Sequence, residues 1–186
     1  MGQVGRGVAA APQPVAIDLR DPLAPREIWR LTLPEHVWAL AAGAGTTVYA
    51  GTDNAIVTLD IEDPDLLVRR GHLEMGQPGA ARAVRGLAFA GDRLYANLSP
   101  PRGMGQPQEI GRFIAGLATL RSIAILPDGG LRPLGDLDLA ANLNTGAAHR
   151  PVVGGAYVAV SGGPVGVALA RRPWRGRVCR ARLESL

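Results

Sequence analysis

Short apolar runs broken by Gly, Asp and Pro recur along the whole chain, and few are longer than a single strand. Apolar and polar positions alternating over such short runs predict β-strands separated by tight turns. Strands are expected at Val37–Ala41, Thr47–Gly51, Ala55–Asp60, Leu87–Phe89, Arg93–Asn97, Ser122–Leu126 and Leu131–Leu137. Further strands are expected at Pro151–Val153, Ala156–Val160, Val165–Ala170 and Val178–Leu183, with Gly7–Ala10 as a remnant near the N-terminus. Three of them carry a tyrosine near the centre (Tyr49, Tyr95 and Tyr157) and follow a Gly-containing turn of the kind that joins hairpin strands.

The pattern repeats. Ile17-Asp18-Leu19-Arg20-Asp21-Pro22 aligns with Leu59-Asp60-Ile61-Glu62-Asp63-Pro64 at an offset of 42 residues, and the register then pairs Leu31 with Leu73 and Leu33 with Met75. An apolar-Asp-apolar-x-Asp-Pro run reads as a strand whose end is capped by an aspartate side chain, with Pro stopping the ladder in the turn at Glu62–Pro64. One unit is therefore strand, Gly turn, Tyr strand, polar turn, apolar-Asp strand, Asp-Pro turn, outer strand. Such a four-stranded meander, repeated every forty-odd residues, has the pitch of a propeller blade. The expected fold is all-β, a β-propeller or propeller fragment of four-stranded antiparallel blades. Residues 1–186 form one domain of about three complete blades plus a partial N-terminal blade, with an insertion at 99–120. The Asp-Pro signature is absent from the third and fourth copies.

The runs VAIDLRDPLAPREI and AIVTLDIEDPDLLVRRGHL, with the GDRLYA strand type, resemble the LVIVD-repeat family of bacterial and archaeal β-propellers. The resemblance covers two repeats well, roughly a third of the chain, and implies a propeller fold. It also implies an extracytoplasmic setting, because family members are often parts of secreted or surface proteins. It assigns no chemistry.

Composition narrows the function classes. Hydrophobic residues make up 47% and charged residues only 19%, so the chain can bury a core and is no charged disordered tail. The net charge is +4, and with no lysine present all of the fixed positive charge is arginine. Its densest stretch, Arg171–Leu183, alternates Cys179, Ala181 and Leu183 with Arg180 and Arg182, as on an outer strand with one buried face and guarding arginines. No nucleic-acid partner is therefore expected. Cys179 is the only cysteine, which rules out an intrachain disulfide and a Cys-built metal site. No apolar run is long enough for a membrane helix, and Met1–Arg6 lacks the layout of a signal peptide.

In a meander the connections alternate between two rims. The first-to-second and third-to-fourth turns are short. The other rim carries the long segments Gly76–Ala83, Ser99–Leu120 and Ala140–Arg150, and long loops on a rigid scaffold are where binding residues concentrate. Within the largest, Ile110, Phe113, Ile114 and Leu117 fall at helical spacing. His36, Trp38, Arg85, His149 and Arg150 lie near the starts of first strands on this rim and are the candidate ligand contacts. His72 falls in an outer strand, away from them. Two rim histidines without a repeated carboxylate make no recognisable metal site, and no phosphate loop or nucleophile elbow is present. The expectation is a non-catalytic binding module with no cofactor, engaging a protein, glycan or surface component through the long-loop rim. A propeller enzyme, of hydrolase or dehydrogenase type, is the alternative. It requires His36, His149 and an acidic residue to converge at the channel mouth, or a site in missing blades. An incomplete ring would leave strand edges open and favour self-association.

Overall fold

The computed structural model describes residues 14–30, 33, 35–63, 66–76, 82–98, 119–139, 150–161, 167–171 and 182–184. Among these the chain is all-β, built of antiparallel sheets. β1 (Val15–Asp18) and β2 (Arg26–Arg30) form a two-stranded sheet. β3 (Val37–Ala42), β4 (Thr47–Thr52), β5 (Ala55–Asp63) and β6 (Leu66–Glu74) form a four-stranded meander in chain order. The same order recurs in β7 (Val84–Ala90), β8 (Arg93–Leu98), β9 (Thr119–Ile125) and β10 (Leu131–Asp138). It recurs again in β11 (Val152–Gly154), β12 (Tyr157–Ser161), β13 (Val167–Arg171) and β14 (Arg182–Glu184).

Turn chemistry sets these registers. Gly91-Asp92 closes the β7–β8 hairpin, with Gly91 at φ +66°, a conformation that side chains disfavour. The aspartate of the repeated motif does the same work in both copies. The Arg20 backbone N–H donates to Asp18 Oδ1 at 3.0 Å, and the Glu62 N–H donates to Asp60 Oδ1 at 3.0 Å. Each is a local side-chain turn that replaces a ladder bond. The Arg20 side chain, then this N–H, hold the Asp18 carboxyl down at about 2. The Asp60 carboxyl is also lowered, first by the Glu62 N–H, then by Thr46 and Arg70. One detail differs from expectation. β5 does not end at Asp60 but runs on through a bulge to pair Asp63 with Leu66, so the aspartate caps a bulge within β5.

The four-stranded sheets pack face to face. Strands put successive side chains on opposite faces, so β8 sends Leu94, Ala96 and Leu98 one way and Tyr95 the other. The first set joins Ala41, Tyr49, Ile56 and Met75 in a core shared with the β3–β6 sheet. Tyr95 joins Leu120, Leu137, Val158, Val160 and Ala170 in a core shared with the β11–β14 sheet. Tyr49 and Tyr95 thus occupy equivalent second strands and both point toward the following sheet. Met75 and Leu139 each follow a fourth strand and plug into the next core, and Leu33 takes the corresponding place against Ala50, Val57 and Leu59. The first strands lie side by side: β7 touches β3 and β11. β7 also touches β4, and Gly51 permits that contact, because a Cβ there would stand 2.5 Å from Val84 Cγ1.

Several strand expectations shift. β7 begins at Val84 rather than Leu87, and β9 begins at Thr119 rather than Ser122. Tyr157 is not central in its strand: it immediately follows the Gly155-Ala156 turn and pairs with Gly154, where Arg93 stands in the previous sheet. Ala159 holds the place of Tyr95. The expected strand at 7–10, the helical spacing within 99–118 and the Arg-rich alternation at 172–181 lie outside the described residues.

Candidate functional site

Three of the five candidate ligand residues meet on the rim that carries the long connections. The cause is local and repeated. The β3–β4 register slips between Val37 and Ala39, and the β7–β8 register slips between Val84 and Gly86. Trp38 and Arg85 are the residues left over, each a bulge near the start of the first strand of its sheet. A bulge bends the strand and re-aims its extra side chain. Because β3 and β7 are neighbours, the two side chains meet: the Arg85 guanidinium carbon lies 3.8 Å from the Trp38 ring centroid. A cation over an indole face is an attractive arrangement, and it holds both groups in one geometry.

The β4–β5 turn on the same rim fixes the tryptophan from its edge. Trp38 Nε1 donates to Asp53 Oδ1 at 2.9 Å. Asp53 Oδ2 accepts from the His36 backbone N–H at 3.2 Å and lies 3.3 Å from His36 Nδ1. The His36 ring stacks on Trp38, with centroids 5.8 Å apart and planes at 24°. Trp38 remains 36% exposed, so this is a wet aromatic surface fastened underneath and at the edge. Beside it, Thr52 is buried and donates to the Glu35 carboxylate.

A second polar group continues along the rim onto the β7–β10 sheet. The Arg82 guanidinium donates to Thr119 Oγ1 at 2.6 Å, and Thr119 Oγ1 donates to Asp138 Oδ1 at 3.0 Å. Arg121 forks onto Asp136 with two bonds of 2.7 Å and reaches back to the Met75 carbonyl. Burial pushes the Arg82 guanidinium below its ordinary value, the Arg121 charge adds to this, and Asp136 and Asp138 oppose it. These arginines are tied to the scaffold, and they tie the β6–β7 connection to the ends of β9 and β10.

The remaining candidates stand apart. Arg150 is exposed just ahead of β11, and among the described residues it makes no hydrogen bond or ion pair. His149 lies outside the described residues. His72, on the outer strand β6, contacts Arg69 and Glu74 and not the rim cluster. Among the described residues no group of three or more His, Cys, Asp or Glu side chains is placed to hold a metal ion, and no helix is long and apolar enough to cross a membrane. Sequence reasoning missed Asp53, although Thr52-Asp53-Asn54 marks a polar turn beside Trp38. It also missed Arg82, whose role depends on β9 starting at Thr119.

No protein-family model matches this chain, and no curated protein is significantly similar to it.

Proposed function

We propose that the chain is a propeller segment of LVIVD-like blades that acts as a non-catalytic binding module. It engages a protein or glycan partner through the rim that carries its long connections. Side-by-side first strands, successive sheets packed face to face and the repeated Asp turn support the propeller reading. The observation that carries the binding reading is the Trp38 platform: one exposed indole held by Asp53 at its edge and by Arg85 over its face. A ring already ordered before contact loses little freedom on binding, and tryptophan and arginine are the residues that most often dominate binding energy.

The enzyme alternative draws on the pairing of His36 with Asp53. That carboxylate, however, already accepts from Trp38 Nε1 and the His36 N–H, which suits it to holding the ring rather than to moving protons. The test is a screen of the intact chain against glycan and immobilised-peptide arrays, repeated with Trp38→Ala. Every specific hit should weaken at least roughly tenfold, as loss of a central aromatic anchor implies. Hits unchanged by Trp38→Ala, or no hits at all, would overturn the reading.

A further inference from the structure

The first and last described sheets each present an apolar face of the kind that the chain buries between its other sheets. On the β11–β14 sheet, Val152 and Leu169 both pair with Ala159, two residues from Tyr157, and Val167 pairs with Ser161. Opposed residues share a face and alternate ones return to it, so Val152, Tyr157, Val167 and Leu169 stand together, and all four are exposed. The reverse face of the same sheet holds Val158, Val160 and Ala170, buried against Tyr95, Leu120 and Leu137.

For the β1–β2 sheet the repeated motif supplies the comparison. Ile17 and Leu59 hold the same place ahead of the motif aspartate. Leu59 is 2% exposed, in the core that Leu33 closes with Ala50 and Val57 on the backward-looking face of the β3–β6 sheet. Ile17 is 54% exposed, and Ile28, left over at the β1–β2 register slip, is exposed next to its partner Glu27. Among the described side chains, Trp38 and Leu40 are the only exposed large apolar ones outside these two sheets and the turn between β1 and β2.

These surfaces are the two halves of one kind of joint. Where sheets meet within the chain, the forward-looking face, which bears Tyr49 or Tyr95, is covered by the backward-looking face of the next sheet. The Tyr157 face looks forward and the Ile17 face looks backward. Within one chain they do not cover each other, since both stay exposed. Burying such side chains is favourable, and two different surfaces that are complementary in this way join copies head to tail.

We propose that the Tyr157 face of the β11–β14 sheet is covered by the β1–β2 sheet of a second copy of this chain, in a head-to-tail joint that repeats the internal ones. The test is sedimentation velocity of the intact chain over roughly 1–100 µM, where the weight-average mass should rise with concentration. Tyr157→Asp and Ile17→Asp each put a charge into the joint, from opposite sides, and should weaken association at least roughly tenfold. Both replace exposed side chains, so the fold should stand, and Val167→Asp serves if Tyr157→Asp does not fold. The mixture decides. Each variant keeps the surface that the other has lost, so equal amounts should form a one-to-one dimer and nothing larger. Trp38→Ala should leave association unchanged, which separates this surface from the rim site. The proposal is overturned if the chain stays monomeric at roughly 100 µM, or if the mixed variants stay apart. It is equally overturned if Ile17→Asp associates as the native chain does, since the Tyr157 face would then be pairing with itself or with something other than the β1–β2 sheet.

Discussion

Tyr95 and Tyr157 follow similar Gly-containing turns in adjacent sheets, yet one is 1% exposed and the other 50%. Two physical differences separate them. Tyr95 is the third residue after its turn and Tyr157 the first, so the register from the hairpin, rather than the residue type, sets how deep the ring lies. The second difference is what covers each face. Tyr95 points at the β11–β14 sheet and is buried by it. Tyr157 points the same way from that sheet, on the face where Val152, Val167 and Leu169 are also exposed. The same strand plan gives a core where another sheet follows, and an apolar surface on this last described face. The two-stranded β1–β2 sheet shows the counterpart, with Ile17 and Ile28 exposed.

Removing the buried ring should break this contrast most severely. Tyr95→Ala should cost about 3–5 kcal/mol in urea denaturation, the range for emptying a large aromatic from a core. A loss below about 1 kcal/mol would mean that the two sheets do not share that core. An intermediate effect comes from the motif aspartates. Because the folded Asp18 carboxyl sits at about 2, below its ordinary 3.8, its contribution is fully present above pH 3.8 and is lost as pH falls through 2. Carboxyl NMR should place the Asp18 midpoint near 2 in the folded chain, and Arg20→Ala should move it upward. A midpoint that does not move would remove the local turn from the account. The smallest effect belongs to the exposed ring. Tyr157→Ala should change stability by less than about 0.5 kcal/mol.

Much of this architecture is legible in the sequence, for stated reasons. The offset of 42 residues is visible because the turn demands Asp at a fixed place, and Asp18 and Asp60 do bond their own backbone two residues on. Leu33 and Met75 could be paired because both must fill the next core. Tyr157 misleads because a strand motif two residues out of register keeps its alternation while its depth changes. Candidate residues at first-strand starts could be chosen from loop lengths, and three of them do converge: His36, Trp38 and Arg85. Their means of meeting was not legible. A bulge has no sequence mark of its own in Val37-Trp38-Ala39 or Val84-Arg85-Gly86, since it arises from how each strand pairs with its neighbour. Asp53 was overlooked for a related reason. Its partners lie 15 and 17 residues away across a hairpin, and only the fold brings them together.

The claim beneath all of this is that consecutive sheets lie face on face, with β7 pressed against β4 where Gly51 leaves room for Val84. A double-mutant cycle reads that contact directly. Gly51→Ala introduces a methyl group 2.5 Å from Val84 Cγ1 and 2.8 Å from its Cβ, and should cost about 1–3 kcal/mol through overpacking. In the Val84→Ala background the 2.5 Å contact with Cγ1 is gone and the one with Cβ stays, so part of the clash is relieved. The account predicts a double variant more stable than the sum of the two losses by about 1 kcal/mol or more. Additive losses, within about 0.5 kcal/mol, would show that the two sheets do not meet there and would contradict the stacking.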